Sequence, residues 1–116
     1  MVKAIINYLL ESLDSNTYYR ITTNNNPTKP NRVYDKLEDE DVPKDEIFGT
    51  TKQSLDAWIE LFIKETPNIE KLYVWEFQLP NTPSTIEDFT YKGQDYTEFT
   101  FNPDGINFEL YKTIDV

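Results

Sequence analysis

The side chains of this chain that could do chemistry are almost all carboxylates. Twenty-one Asp and Glu stand against 11 Lys and Arg in 116 residues, a formal net charge of −10, with no His and no Cys. Without imidazole or thiol, no Ser–His or Cys–His nucleophile system can be assembled from these residues. A zinc site of the usual N/S kind is excluded for the same reason. With three Gly in all, neither GxxxxGK nor GxGxxG is available to cradle a phosphate. Carboxylate acid–base chemistry and oxygen ligation of a divalent cation are what remain.

The densest carboxylates are Asp35, Glu38, Asp39, Glu40, Asp41, Asp45 and Glu46. A calcium loop needs carboxylates at alternate positions, a Gly at its sharp turn and a terminal Glu; this run has no such Gly. Asn102-Pro103-Asp104-Gly105 with Glu109 gathers oxygens around a Gly, but at the spacing of a plain turn. A nuclease pattern fails as well. Pro103-Asp104 is followed too closely by Glu109-Leu110-Tyr111-Lys112, and the Lys is one position off. The expectation is a protein with no catalytic residue, no metal and no cofactor, which is not an enzyme.

Charge is unevenly placed. Residues 1–34 carry net +2, residues 35–46 net −5, and residues 71–116 net −5. A surface this acidic repels nucleic acid and attracts basic proteins, with fast, salt-sensitive association. Asp35, Glu38, Asp39, Glu40, Asp41, Asp45 and Glu46 are therefore the expected partner-binding residues. The plainer reading of such a run is a solvated loop that keeps the protein soluble. Among functions, the profile fits a non-enzymatic acidic module that binds a basic protein partner. Phage or mobile-element inhibitors that mimic nucleic acid, and toxin-immunity proteins, share this composition. Direct nucleic-acid binding is not expected. The alternative is a phage virion subunit of the tail or connector, or another self-assembling structural protein. There a long segment over residues 24–49 would reach between neighbours, since loops beyond roughly 12–15 residues are usually functional or disordered.

Other features set the environment. Absent Cys favours a reducing compartment. No apolar run approaches the roughly 20 residues of a membrane span, and no secretory leader is evident in the opening residues. The chain reads as soluble and cytoplasmic, with no membrane partner. Seven Phe, eight Tyr and two Trp supply core material, each burying on the order of 150–250 Å².

The elements that would carry these groups follow from periodicity. Val2, Ile5, Ile6, Leu9, Leu10 and Leu13 share one helical face, predicting a helix over 2–13. Thr17–Thr23 is β-branched and aromatic, predicting a strand. Ile47-Phe48 would pin the acidic loop to the body, and Gly49 would supply a positive φ for leaving it. Thr50 and Gln53 have capping-box spacing before Leu55, Trp58, Ile59 and Phe62, predicting a helix over 51–65. Lys71–Leu79 is apolar on one whole face and half of the other, which suits a central strand. Phe89–Tyr91 suggests a short strand and Lys92-Gly93-Gln94 a tight turn. Residues 96–101 and 106–111 suggest a hairpin about a type I turn at 102–105, with one wet face. Trp58 and Trp75 fall on apolar faces and read as core. The sum is a single α+β domain over 1–116, with two amphipathic helices packed on one face of an antiparallel sheet of about four strands and a long acidic loop at 24–49.

Overall fold

The structure is a computed structural model that describes residues 17–29, 46–80, 83 and 86–116. The predicted helix over 2–13 and most of the acidic run lie outside these residues. Seven elements are formed: β1 (Thr17–Thr22), β2 (Ile47–Gly49), α1 (Lys52–Glu65), β3 (Lys71–Gln78), β4 (Glu87–Tyr91), β5 (Gln94–Phe101) and β6 (Glu109–Asp115).

The expected four-stranded sheet under two helices is not what forms. The strands make two antiparallel three-stranded sheets, ordered β1-β3-β6 and β2-β5-β4, and α1 is the one helix among the described residues. The two sheets meet edge to edge. Tyr19 on β1 and Thr50, just past β2, exchange backbone hydrogen bonds of 2.9 and 2.8 Å.

The central position of β3 agrees with its two-sided apolar pattern: β1 lies on one side and β6 on the other. Alternation sends its residues into two cores. Leu72 and Val74 join Tyr19 and Ile21 of β1 beneath the helical stripe Leu55, Trp58, Ile59 and Phe62, together with Tyr96 of β5. Phe77 and Leu79 join Tyr18, Ile47, Phe99 and Phe101 in a second, aromatic-rich core. There Phe77 stacks on Phe101 at 4.6 Å and tilts against Phe108 at 5.0 Å, while Tyr18 meets Phe99 edge-on at 4.8 Å. Each large apolar side chain buried in this way stabilises the fold by roughly 1.5–3 kcal/mol. Trp58 and Trp75 are both core, each 8% exposed.

The predicted 96–111 hairpin is overturned, and packing is the reason. β5 belongs to one sheet and β6 to the other. Between them Ile106 and Phe108 pack against the aromatic core instead of entering a ladder with β5. The turn is also shifted by one residue. Ile106 N donates to Pro103 O, so Pro103 is first and Gly105 third, with φ 76°. That positive φ at the third position suits a type II turn.

Two smaller expectations fail nearby. Gly49 does not need a positive φ; it is a strand residue facing rings. A Cβ there would stand 2.7 Å from Phe99 Cζ and 3.1 Å from Phe101 Cε1. The capping box is absent too. The N-cap is Thr51, which makes no side-chain cap bond, and the Thr50 hydroxyl donates instead to Thr97 O at 2.5 Å.

That diversion has a use. The β2 ladder ends at Gly49↔Phe99, so Thr97 has no β2 partner. Helix side chains take its backbone groups. Thr97 N donates to Ser54 Oγ at 2.7 Å, and Thr97 O accepts from Trp58 Nε1 at 2.9 Å as well as from Thr50. The helix therefore completes the inner side of β5 and fixes the β4–β5 ribbon to the body.

Candidate protein-binding surface

The β4–β5 ribbon is built by the Lys92-Gly93 turn. Both residues have positive φ, 50° and 79°, as a two-residue type I′ loop requires. The turn sets the register Tyr91↔Gln94, Thr90↔Asp95, Phe89↔Tyr96, Asp88↔Thr97 and Glu87↔Glu98. Phe89 and Tyr96 turn inward, stack at 5.5 Å, and lean on Trp58 at 5.9 and 4.9 Å. The opposite face of the same residues' neighbours is an Asp/Thr checkerboard. Thr97 Oγ1 donates to Asp88 Oδ1 at 2.5 Å, and Thr90 Oγ1 donates to Asp95 Oδ1 at 2.8 Å. Each carboxylate is thereby oriented across the strands and keeps most of its acceptor sites for another donor.

The ribbon is strongly negative. Residues 87–101 hold Glu87, Asp88, Asp95 and Glu98 against a single cation, Lys92. Lys92 Nζ turns away to Glu65 Oε1 of α1 at 3.3 Å. Its pKa is raised, first by the hydrogen bond to Glu65 and then by Tyr91. Glu87, Asp88 and Asp95 are exposed, and Glu98 is half-buried. Burial pushes up the phenols of Tyr96, on the ribbon's inner face, and of Tyr18, in the aromatic core.

A second acidic place lies where β3 ends beside the start of β6. The C-terminal end of β3 and the 105–109 segment flank an open groove of about 540 Å³, with Phe77, Leu79 and Ile106 along it and Glu76 and Glu109 at its border. Glu76 and Glu109 stand directly opposite each other on paired strands. Tyr19 OH donates to Glu76 Oε2 at 3.1 Å.

Of the expected partner-binding residues, Asp35, Glu38, Asp39, Glu40, Asp41 and Asp45 lie outside the described residues. Glu46 is half-buried beside β2 and accepts a hydrogen bond from Thr100 Oγ1 at 3.3 Å. The ribbon carboxylates were not among the expected residues, although their signal is in the sequence. Asp88-x-Thr90 and Asp95-x-Thr97 lie symmetrically about Lys92-Gly93, so a two-residue turn there pairs each Asp with a Thr. Among the described residues, no three His, Cys, Asp or Glu gather closely enough to hold a metal ion. No described helix is long and apolar enough to cross a membrane.

Compared with known protein families, curated proteins and solved structures, the chain matches none.

Proposed function

We propose that this protein is a cytoplasmic, non-enzymatic binding module that presents carboxylates to a basic protein surface. Its partner would be one that ordinarily meets phosphates, and its role inhibition or neutralisation, as in phage or mobile-element inhibitors of the nucleic-acid-mimic type or toxin-immunity proteins. The observation that carries this reading is the pair of Asp carboxylates at 88 and 95. Both are exposed and both are held in place by cross-strand Thr hydroxyls. Acid kept only for solubility needs no fixed orientation. Oriented acid lowers the ordering cost of meeting a cation. The surrounding excess of negative charge steers a basic partner toward it.

The test compares variants of equal net charge. Asp88→Asn with Asp95→Asn keeps acceptors for both Thr hydroxyls while removing two charges from the ribbon. Asp56→Asn with Asp104→Asn removes two charges elsewhere. Binding to immobilised protamine is measured over a salt series. The ribbon pair should weaken binding and flatten its salt dependence more than the control pair. Equal losses in the two variants would show that only total charge matters and would end the proposal.

A further inference from the structure

Among the described residues the joined sheets have two outer edges, β4 and β6. They are protected differently. On β6 the register with β3 slips between Val74↔Lys112 and Trp75↔Leu110, which leaves Tyr111 as an extra residue, and Lys112 sits beside that bulge. A bulge and a Lys are common means of closing an edge to further strands. β4 has neither. Its five residues pair with β5 in unbroken register, and β5 is its only strand partner among the described residues. All but Phe89 are exposed. Ile86 and Tyr91, 40% and 41% exposed, bracket the strand with apolar surface.

What guards β4 is charge of one sign. Glu87 and Asp88 lie on the edge strand, with Asp95 and Glu98 one strand behind. Two copies of this edge would bring two strongly acidic ribbons together, and their like charge opposes self-pairing. The same charges favour a basic strand. Alternation on an added strand would place side chains toward Asp88 and Asp95 on one face, and toward Glu87 and Glu98 on the other. The second row of carboxylates lies two strand spacings, about 10 Å, from an added strand, a gap that a long Lys or Arg stem and a carboxylate reaching toward it can close together.

We propose that β4 binds an extended, Lys- or Arg-rich segment of a partner protein as an added strand, with main-chain hydrogen bonds along the edge and cations over the ribbon carboxylates. This rests on the reading of the ribbon as a surface for basic partners. It adds the mode of binding and the conformation of the partner segment.

The probe is an acetylated, amidated heptapeptide alternating Lys and Val, titrated into the full chain by calorimetry at low salt. Two further peptides carry backbone N-methyl groups, one on every Lys and the other on every Val. Along an extended strand, alternate N–H groups point to opposite edges. Strand addition therefore predicts that one N-methylated peptide binds like the parent and the other loses at least about tenfold. Hydrogen exchange with the parent peptide should slow the amides of β4 and leave those of β6 unchanged. If both N-methylated peptides bind like the parent, yet Asp88→Asn with Asp95→Asn weakens all three, the added strand is refuted and the carboxylate surface stands. Protection appearing on β6 refutes it in the same way. If the parent does not bind, or binds the ribbon variant equally well, both ideas fall.

Discussion

Arg20 should be the most expensive single side chain to remove among the described polar residues. It is 2% exposed, in the middle of β1. Its Nε donates to Pro27 O at 2.7 Å, Nη2 to Lys29 O at 2.6 Å, and Nη1 to Phe48 O at 2.8 Å. The guanidinium thus ties β1 to β2 and to the 23–29 segment. Asn24 and Asn26 shape that segment, their Oδ1 atoms accepting from the amides of Asn26 and Thr28. Met in place of Arg20 keeps much of the apolar stem and removes all three donors. A hydrogen bond from a charged donor contributes about 1.5–3 kcal/mol, and an orphaned buried acceptor costs about 1–3 kcal/mol. The sum is reduced because the cation's desolvation is recovered and the 23–29 carbonyls can turn to water. A net loss of about 3–5 kcal/mol is expected from three charged-donor hydrogen bonds less that recovery. A domain stable by about 5–15 kcal/mol would lose a large part of its margin. Arg20→Lys keeps the charge, but one nitrogen cannot span three carbonyls, so it should fall between. Urea unfolding followed by the fluorescence of Trp58 and Trp75 measures both. A Met variant within about 1 kcal/mol of the native protein would refute this account of Arg20.

Other consequences follow from the same geometry. Gly49→Ala forces a methyl against the rings of Phe99 and Phe101 and should cost about 1–3 kcal/mol in urea unfolding; an unchanged midpoint would mean that the rings move aside freely. Glu109→Gln removes one of two carboxylates set directly opposite on β3 and β6, so it should leave stability unchanged or raise it by roughly 0.2–1 kcal/mol, read as a shift in thermal midpoint. The phenols of Tyr18 and Tyr96 and the ammonium of Lys92 all have raised pKa values in the fold. Their contribution is complete below the unfolded values, about 10–10.4, and is lost as pH rises through the raised folded ones. Unfolding free energy should thus decline above about pH 10, with tyrosinate absorbance lagging behind that of free tyrosine; stability rising over that interval would contradict it.

Much of the local structure was legible without coordinates. The strand predicted over 17–23, the helix over 51–65 and the strand over 71–79 correspond to β1, α1 and β3 within a residue or two. Their periodicities are long and their apolar faces unambiguous. The Lys92-Gly93 turn was legible because a Gly flanked by polar residues, between segments rich in aromatic and β-branched residues, is a turn signal. The candidate surface was legible only in part. An acidic excess is visible in any count of residues, but which carboxylates are held still depends on which strands pair.

Sequence by itself determined the chemistry: an excess of carboxylates, no imidazole, no thiol, and enough aromatic residues for a packed core. It also determined where single elements start and stop, because alternation and helical spacing are properties of neighbouring residues. Tertiary structure decided which strands became neighbours. Residues 96–101 and 106–111 look like a hairpin in isolation, yet Phe101 and Phe108 both pack on Phe77, and that contact sends β6 to β3 instead of β5. Thr50 has the spacing of a helix cap, yet the free backbone of Thr97 claims its hydroxyl. In both places a contact between residues far apart in the chain outweighs a local preference worth about 1 kcal/mol or less, and no pattern among adjacent residues reports on it.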